Sequence, residues 1–333
     1  MAFGRDARDL QAAFRATSPT ISDAGRAPTD DKGRRHGYLL ALSHEDENLF
    51  PPLRGEEGAR RFFQARGIKW WRNSRSGDAK GVVGPTRNMA SSQVNCLNFL
   101  LPFTSEPSAL LTILQSLDSD VTGVTELMHG GRSSHVEFEW VGSESTLEGG
   151  PYTRGANATS IDALVVGETD RGRRAYLFEW KYVEEYSVGE SKAGGSPGQT
   201  RLRRYRPLYE RADSPFKREI PIEEWFFEPF YQILRMILLA ERMVRDREFG
   251  IVDAKVVVVC PMENLAYRRK ITSPALRERY PEVLDVGDIV RASLRRPEMF
   301  ASASCAEMIV PLRREVRPDL SDWLEYQESR YGW

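Results

Sequence analysis

"SIDALVVGETDRGRRAYLFEWKYV" (residues 160–183) holds two apolar runs on either side of a turn-like quartet, Thr169-Asp170-Arg171-Gly172. Both runs are rich in β-branched and aromatic residues, and Gly172 supplies a left-handed backbone position, so the stretch reads as a β-hairpin. With those four residues as the loop, Glu168 faces Arg173, and the same register places Asp162 opposite Glu179. Opposite residues of an antiparallel pair share a sheet face, with Cβ atoms roughly 4.5–5.5 Å apart. Residues i and i+2 also share a face, which adds Lys181, opposite Ser160. Ile161, Ala163, Val165, Tyr176, Phe178 and Trp180 fall on the other face, while Leu164, Val166 and Leu177 make the charged face apolar nearer the turn. The hairpin is therefore expected to be buried on both sides. A change of one residue in loop length would move Asp162 to the wrong face.

Two carboxylates and one ammonium in a partly buried site are costly unless something uses them. A hard divalent cation would do so. Mg²⁺, with Mn²⁺ as a substitute, takes oxygen ligands and keeps several waters, so Asp162, Glu179 and a backbone carbonyl such as that of Trp180 form a sufficient donor set. Such a metal stabilises charge on a phosphate and lowers the pKa of bound water, which Lys181 would orient or deprotonate. That chemistry is phosphodiester hydrolysis. The tripeptide [D/E]xK has no specificity by itself, since it recurs at Asp30–Lys32, Asp78–Lys80, Glu190–Lys192 and Asp253–Lys255. Only Glu179-Trp180-Lys181 lies in an apolar strand with an acid placed opposite. The competing reading is a structural ion pair at a strand end.

Asp162, followed on the next strand by Glu179-Trp180-Lys181, resembles the PD-(D/E)xK nuclease superfamily over roughly residues 134–260. The resemblance implies an α/β, restriction-endonuclease-like core: a central mixed β-sheet flanked by helices, here with extra N-terminal helices and a C-terminal extension. It implies metal on Asp162 and Glu179, with Lys181 as the catalytic lysine. Ile161 stands where the motif often has Pro. "RNMASSQVNCLNFLLPF" (87–103) is similar to a Ser-Ser-Gln segment of some bacterial nuclease-like proteins. Many members supply a further Glu from an earlier helix; Glu126, Glu137 and Glu139 are candidates, and Gln93, Gln199 and Gln232 are possible accessories. Gln199 and Tyr205 are similar to the Gln and Tyr of a helix in the RecB-like branch.

The remaining chain sets the frame. Its 333 residues are 41% hydrophobic and 29% charged, enough for a large core. A net charge of −1 gives no global attraction to a polyanion, so any nucleic-acid site is a local patch. "GQTRLRRYRPLYER" (198–211) offers one: Arg201, Arg203, Arg204 and Arg206 for phosphates, with Tyr205 for base stacking. A solvated charged face is the alternative. The expected partner is DNA, with RNA possible and a homodimer possible. Residues 1–35 are expected to be a flexible segment and 36–333 a single nuclease-like domain with an insertion at about 187–222. Gly67 is expected to stop a short helix before a strand carrying Trp70 and Trp71, a buried helix to end near Pro102, and Ser105 or Ser108 to cap a second helix after it. The strongest helical pattern, around 222–248, carries Glu228, Gln232 and Arg235 on one polar stripe.

Three isolated cysteines exclude a disulfide framework and a CxxC zinc site, and the four histidines have no metal-ligand spacing. No secretory leader and no long apolar stretch is visible, so the expectation is a cytoplasmic protein with no membrane contact. GxGxxG and P-loop motifs are absent. Two alternatives to a nuclease remain: a non-catalytic nucleic-acid-binding protein on the same fold, and an interaction protein with a fortuitous ion pair.

Overall fold

A computed structural model describes residues 2–28, 30–31, 34–71, 83–142, 147–148, 158–187, 189, 191–315 and 317–333. The central sheet has six strands: β1 (Val121–Thr125), β2 (Glu137–Trp140), β3 (Ile161–Thr169), β4 (Gly172–Trp180), β5 (Ile251–Val259) and β6 (Phe300–Ala303). Their order is β6-β5-β4-β3-β1, with β2 also pairing β3. β1 and β2 share that edge, one along each half of β3. The β3–β4 hairpin is antiparallel, whereas β4, β5 and β6 run parallel. The sheet is therefore mixed, as expected.

Hairpin register follows the sequence reading. Glu168 pairs with Arg173, and the ladder runs from Thr169–Gly172 at the turn to Ala163–Phe178. Gly172 has φ 116°, the position for which glycine is needed.

Helices of eight or more residues cover both faces. One layer holds α1 (Ala2–Thr17), α2 (Ser92–Leu100), α3 (Pro107–Leu117), α7 (Cys305–Arg314) and α8 (Ser321–Tyr331); the other holds α4 (Gly195–Glu210), α5 (Phe230–Arg245) and α6 (Val286–Ser293). Strand alternation divides the core between them. On β5, Val257 and Val259 join the first layer and Val256 and Val258 the second. A strand covered on both faces reads as a continuous apolar run, which is why four valines stand in a row.

Several expectations are corrected. The N-terminal segment expected to be flexible begins with α1, which buries Ala7, Gln11 and Phe14 at i, i+4 and i+7. Gln11 Nε2 donates to Arg330 O at 2.9 Å and Tyr182 Oη at 3.1 Å, so the chain's first helix docks on its last. A polar Gln in the buried stripe hides that face from a hydropathy reading. The 187–222 "insertion" is also core: α4 contributes Leu202, Tyr205 and Tyr209, and Phe216, Ile220 and Ile222 follow. Trp70 lies on no strand; it stacks on Phe63 at 4.1 Å between ring centroids. Neither serine caps α3, because Glu106 accepts from the Ser108 N–H at 3.0 Å.

All three cysteines are free and buried. Among the described residues, no helix is long and apolar enough to cross a membrane.

Candidate active site

The site forms where the central hairpin parts. β3–β4 pairing ends at Ala163–Phe178, but β4 continues along β5 to Trp180–Val259, and the Lys181 N–H donates to Val259 O at 2.8 Å. In the gap, Asp162 Oδ2 accepts from the Trp180 N–H at 2.6 Å, taking the place of a ladder carbonyl. Glu179 and Lys181 are each 6% exposed, with Lys181 Nζ 2.5 Å from Glu179 Oε1. Trp180 between them points into the opposite core and donates its indole N–H to Asn95.

Burial pushes the Asp162 carboxyl well above its ordinary range, and the charge on Glu179 pushes it further. For Lys181, burial opposes the ammonium most strongly, but Glu179 together with Tyr186, Glu184 and Tyr267 outweighs it and holds the pKa well above the ordinary value.

Glu139 lies across β2–β3 from Asp162, between the pairs Phe138–Ala163 and Trp140–Ile161. Its φ of 52° is left-handed, a strained conformation for a residue with a side chain. This breaks the alternation of β2, so Phe138 and Trp140 enter different core layers. Ile161, paired with Trp140, follows it to the α5 side and leaves the Ala163–Val165 face on which the sequence pattern put it. Glu139 accepts from Gln93 Nε2 at 2.8 Å and Ser160 Oγ at 3.0 Å, and Gln93 Oε1 accepts from the Trp71 N–H at 3.0 Å.

These groups line a cleft of about 970 Å³. Its wall carries Arg8, Lys181, Lys192 and Arg235 against Glu139, Asp162, Glu179, Glu184, Glu185 and Glu228, a balance acidic by two. Gln232 lines it too and accepts from Tyr186 Oη at 3.1 Å. Arg235 Nη2 donates to Ala158 O at 2.7 Å and Nε to Thr159 Oγ1 at 3.0 Å, anchoring the approach to Asp162.

Other expected residues lie elsewhere. Glu137 is fully buried in an ion pair with Arg66 at 3.0 Å, and burial raises its carboxyl pKa against that pairing. Glu126 and Gln199 are exposed and outside the cleft wall. The arginine-rich set does not line the cleft either. Tyr205 is 3% exposed and donates to Glu148 Oε1 at 2.6 Å, so its ring is core rather than a stacking platform. Arg206 pairs with Glu223 and Glu210, Arg203 donates to Thr200 Oγ1, Arg201 donates to Lys192 O, and Arg204 is half-buried. The helical period explains this: burying Leu202, Tyr205 and Tyr209 turns Arg203 toward water and leaves Arg201, Arg204 and Arg206 part-buried at the flanks. The cleft residues not anticipated include Arg8, Trp71, Glu184, Glu185 and Lys192. Of these, Lys192 carried a signal, since lysine is scarce in this chain.

A family model described as Restriction Endonuclease associating with ARP matches residues 8–332. The chain belongs to that family. No curated protein and no solved structure matches it. The family description is that of a nuclease, hence a hydrolase, and the mixed sheet between helical layers is compatible with a restriction-endonuclease-like fold. In this restriction-endonuclease family member, Asp162 and Glu179 offer oxygen donors only, and a cation would relieve the repulsion between them. Among the described residues, no group of three or more His, Cys, Asp or Glu side chains is arranged to hold a metal ion. A metal here would draw its remaining ligands from water and backbone, which suits Mg²⁺ better than Zn²⁺.

Proposed function

We infer that the chain is a PD-(D/E)xK-type, Mg²⁺-dependent nuclease that hydrolyses phosphodiester bonds in DNA, with Mn²⁺ able to replace Mg²⁺. One observation carries the reading: a buried carboxylate and ammonium, Glu179 and Lys181, stand beside the part-buried Asp162 in the wall of a cleft, where two paired strands part. Charges are seldom buried unless paired, and this set leaves one carboxylate in excess. The family description supports DNA as the substrate.

Asp162 and Glu179 would hold the metal, whose chemistry is to neutralise phosphate charge and acidify bound water. The protein's own part is positional. The Trp180 N–H fixes Asp162, the β4–β5 ladder fixes Glu179, and the Val259 carbonyl fixes the backbone of Lys181. Lys181 is held as an ammonium by Glu179. With Glu179 engaged by a metal, that ammonium would be free to orient the attacking water or donate a proton to the leaving oxygen. Gln93 and Ser160 hold Glu139 beside the pair, where it adds negative potential. An acidic cleft wall repels phosphate, so substrate binding is expected to depend on the cation as well.

The test is incubation with supercoiled plasmid, linear duplex, single-stranded DNA and RNA in Mg²⁺, Mn²⁺ or EDTA, with Asp162→Asn alongside. Metal-dependent cleavage that Asp162→Asn abolishes is expected. Equal cleavage by a folded Asp162→Asn protein would remove the assignment.

A further inference from the structure

Tyr231, in the first turn of α5, is 5% exposed, and three cations surround its ring. Lys192 Nζ lies 5.1 Å from the ring centroid, the Arg235 guanidinium carbon 5.3 Å and that of Arg201 6.0 Å. They come from the loop before α4, from α5 and from α4. Arg201 Nη1 donates to Lys192 O at 3.0 Å, and Arg235 is fixed on Ala158 and Thr159, so the cations are built in rather than loose. Two carboxylates accompany them: Glu228, paired with Lys192, and Glu148, 3.9 Å from Arg235. Of these groups Lys192, Arg235 and Glu228 line the cleft, and two positive against one negative leave this end of it positive by one. At the other end, Asp162, Glu179 and Glu139 against Lys181 leave it negative by two. Lys192 and Arg235 line the same cleft as Asp162 and Glu179. Thr159, held by Arg235, is three residues from Asp162, a span of at most about 11 Å.

We propose that Lys192 and Arg235, backed by Arg201, form a phosphate subsite that takes a backbone phosphate of the substrate strand beside the one being cleaved. The inference rests on the nuclease reading above. Glu228 is the built-in competitor. Its carboxylate holds Lys192 in the free cleft, and an arriving phosphate replaces it. Arg235 serves two ends, since the guanidinium at this subsite also fixes the segment leading to Asp162.

The test is binding of a fluorescent DNA duplex in Ca²⁺ over a range of salt concentrations, with cleavage of the same duplex in Mg²⁺ scored separately. Lys192→Ala is expected to weaken binding about tenfold and to reduce the salt slope by about one. Glu228→Gln is expected to tighten binding severalfold, a change in the opposite direction that a damaged fold cannot produce. Arg203→Ala, outside the cleft, is the control and should bind as the parent does. If Lys192→Ala and Glu228→Gln both keep the parental affinity and salt slope, the subsite is wrong. Failure of the nuclease reading would appear differently, as a duplex left intact by the parent protein in Mg²⁺.

Discussion

Glu179-Trp180-Lys181 and Asp253-Ala254-Lys255 have the same acid-x-lysine form and lie on neighbouring parallel strands, yet at opposite ends of the sheet. The second copy is fully matched. Asp253 pairs with Arg174 at 2.9 Å and Arg296 at 3.2 Å, Lys255 pairs with Asp118, and Arg174 reaches Asp120 at 2.8 Å. Burial opposes the charge on Arg174, but its hydrogen bonds to Asp120, Tyr176 and Asp253 hold its pKa above the ordinary value. Three cations there meet three carboxylates. At the other end Lys181 faces Glu179 while Asp162 is left over, its carboxyl raised by burial and by its neighbour. The tripeptide is the same; what differs is the charge that the adjoining strands bring to it. Matched charge serves the fold, and the surplus marks a site with something still to bind.

The sharpest contrast is in catalysis. Lys181→Ala is expected to lower DNA cleavage on the order of 10²–10⁴-fold, the contribution of a positioned proton-transfer group. Lys255→Ala should stay within a few-fold of the parent, as read by single-turnover cleavage in Mg²⁺.

Stability should show the reverse. Lys255→Ala removes one of the two cations on Asp118, which keeps Arg174 at 3.3 Å and the Tyr176 hydroxyl at 2.9 Å, and is expected to cost about 1 kcal/mol in urea unfolding. Asp162→Asn keeps an oxygen to accept the Trp180 N–H and removes a carboxylate from beside Glu179. We expect it to be inactive yet more stable than the parent at pH 7, by about 0.5–2 kcal/mol. Its pH dependence gives the same contrast. A carboxyl whose folded pKa is raised binds its proton more tightly in the native state than in the unfolded one. The contribution of Asp162 to stability therefore falls as pH rises from the ordinary Asp value through the raised one, and Asp162→Asn should remove that fall. The smallest effect is at Arg203, exposed and outside both clusters, where Ala should change stability by less than about 0.5 kcal/mol.

Hairpin and charged pair were legible because strand pairing converts residue numbers into contacts: once the turn at 169–172 is recognised, Asp162 and Glu179 must approach each other. Glu139 was only one of several possible acids, since nothing local announces a left-handed residue in a strand. The same residue explains the misplaced Ile161. Glu137 and Tyr205 were misread for a common reason, that their partners Arg66 and Glu148 are distant in sequence and no spacing rule links them. The N-terminal helix was hidden by Gln11, whose polar side chain is satisfied by Arg330 at the far end of the chain. Strand geometry can be read locally, whereas a polar side chain in the core is explained only by what it meets there.

Cleavage of a supercoiled plasmid in Mg²⁺ by the parent, Lys181→Ala and Lys255→Ala proteins, each first shown to be folded, tests the central claim most directly. The account predicts cutting by the parent and by Lys255→Ala, and cutting slower by at least about 10²-fold by Lys181→Ala. Cutting by Lys181→Ala at the parental rate would contradict it.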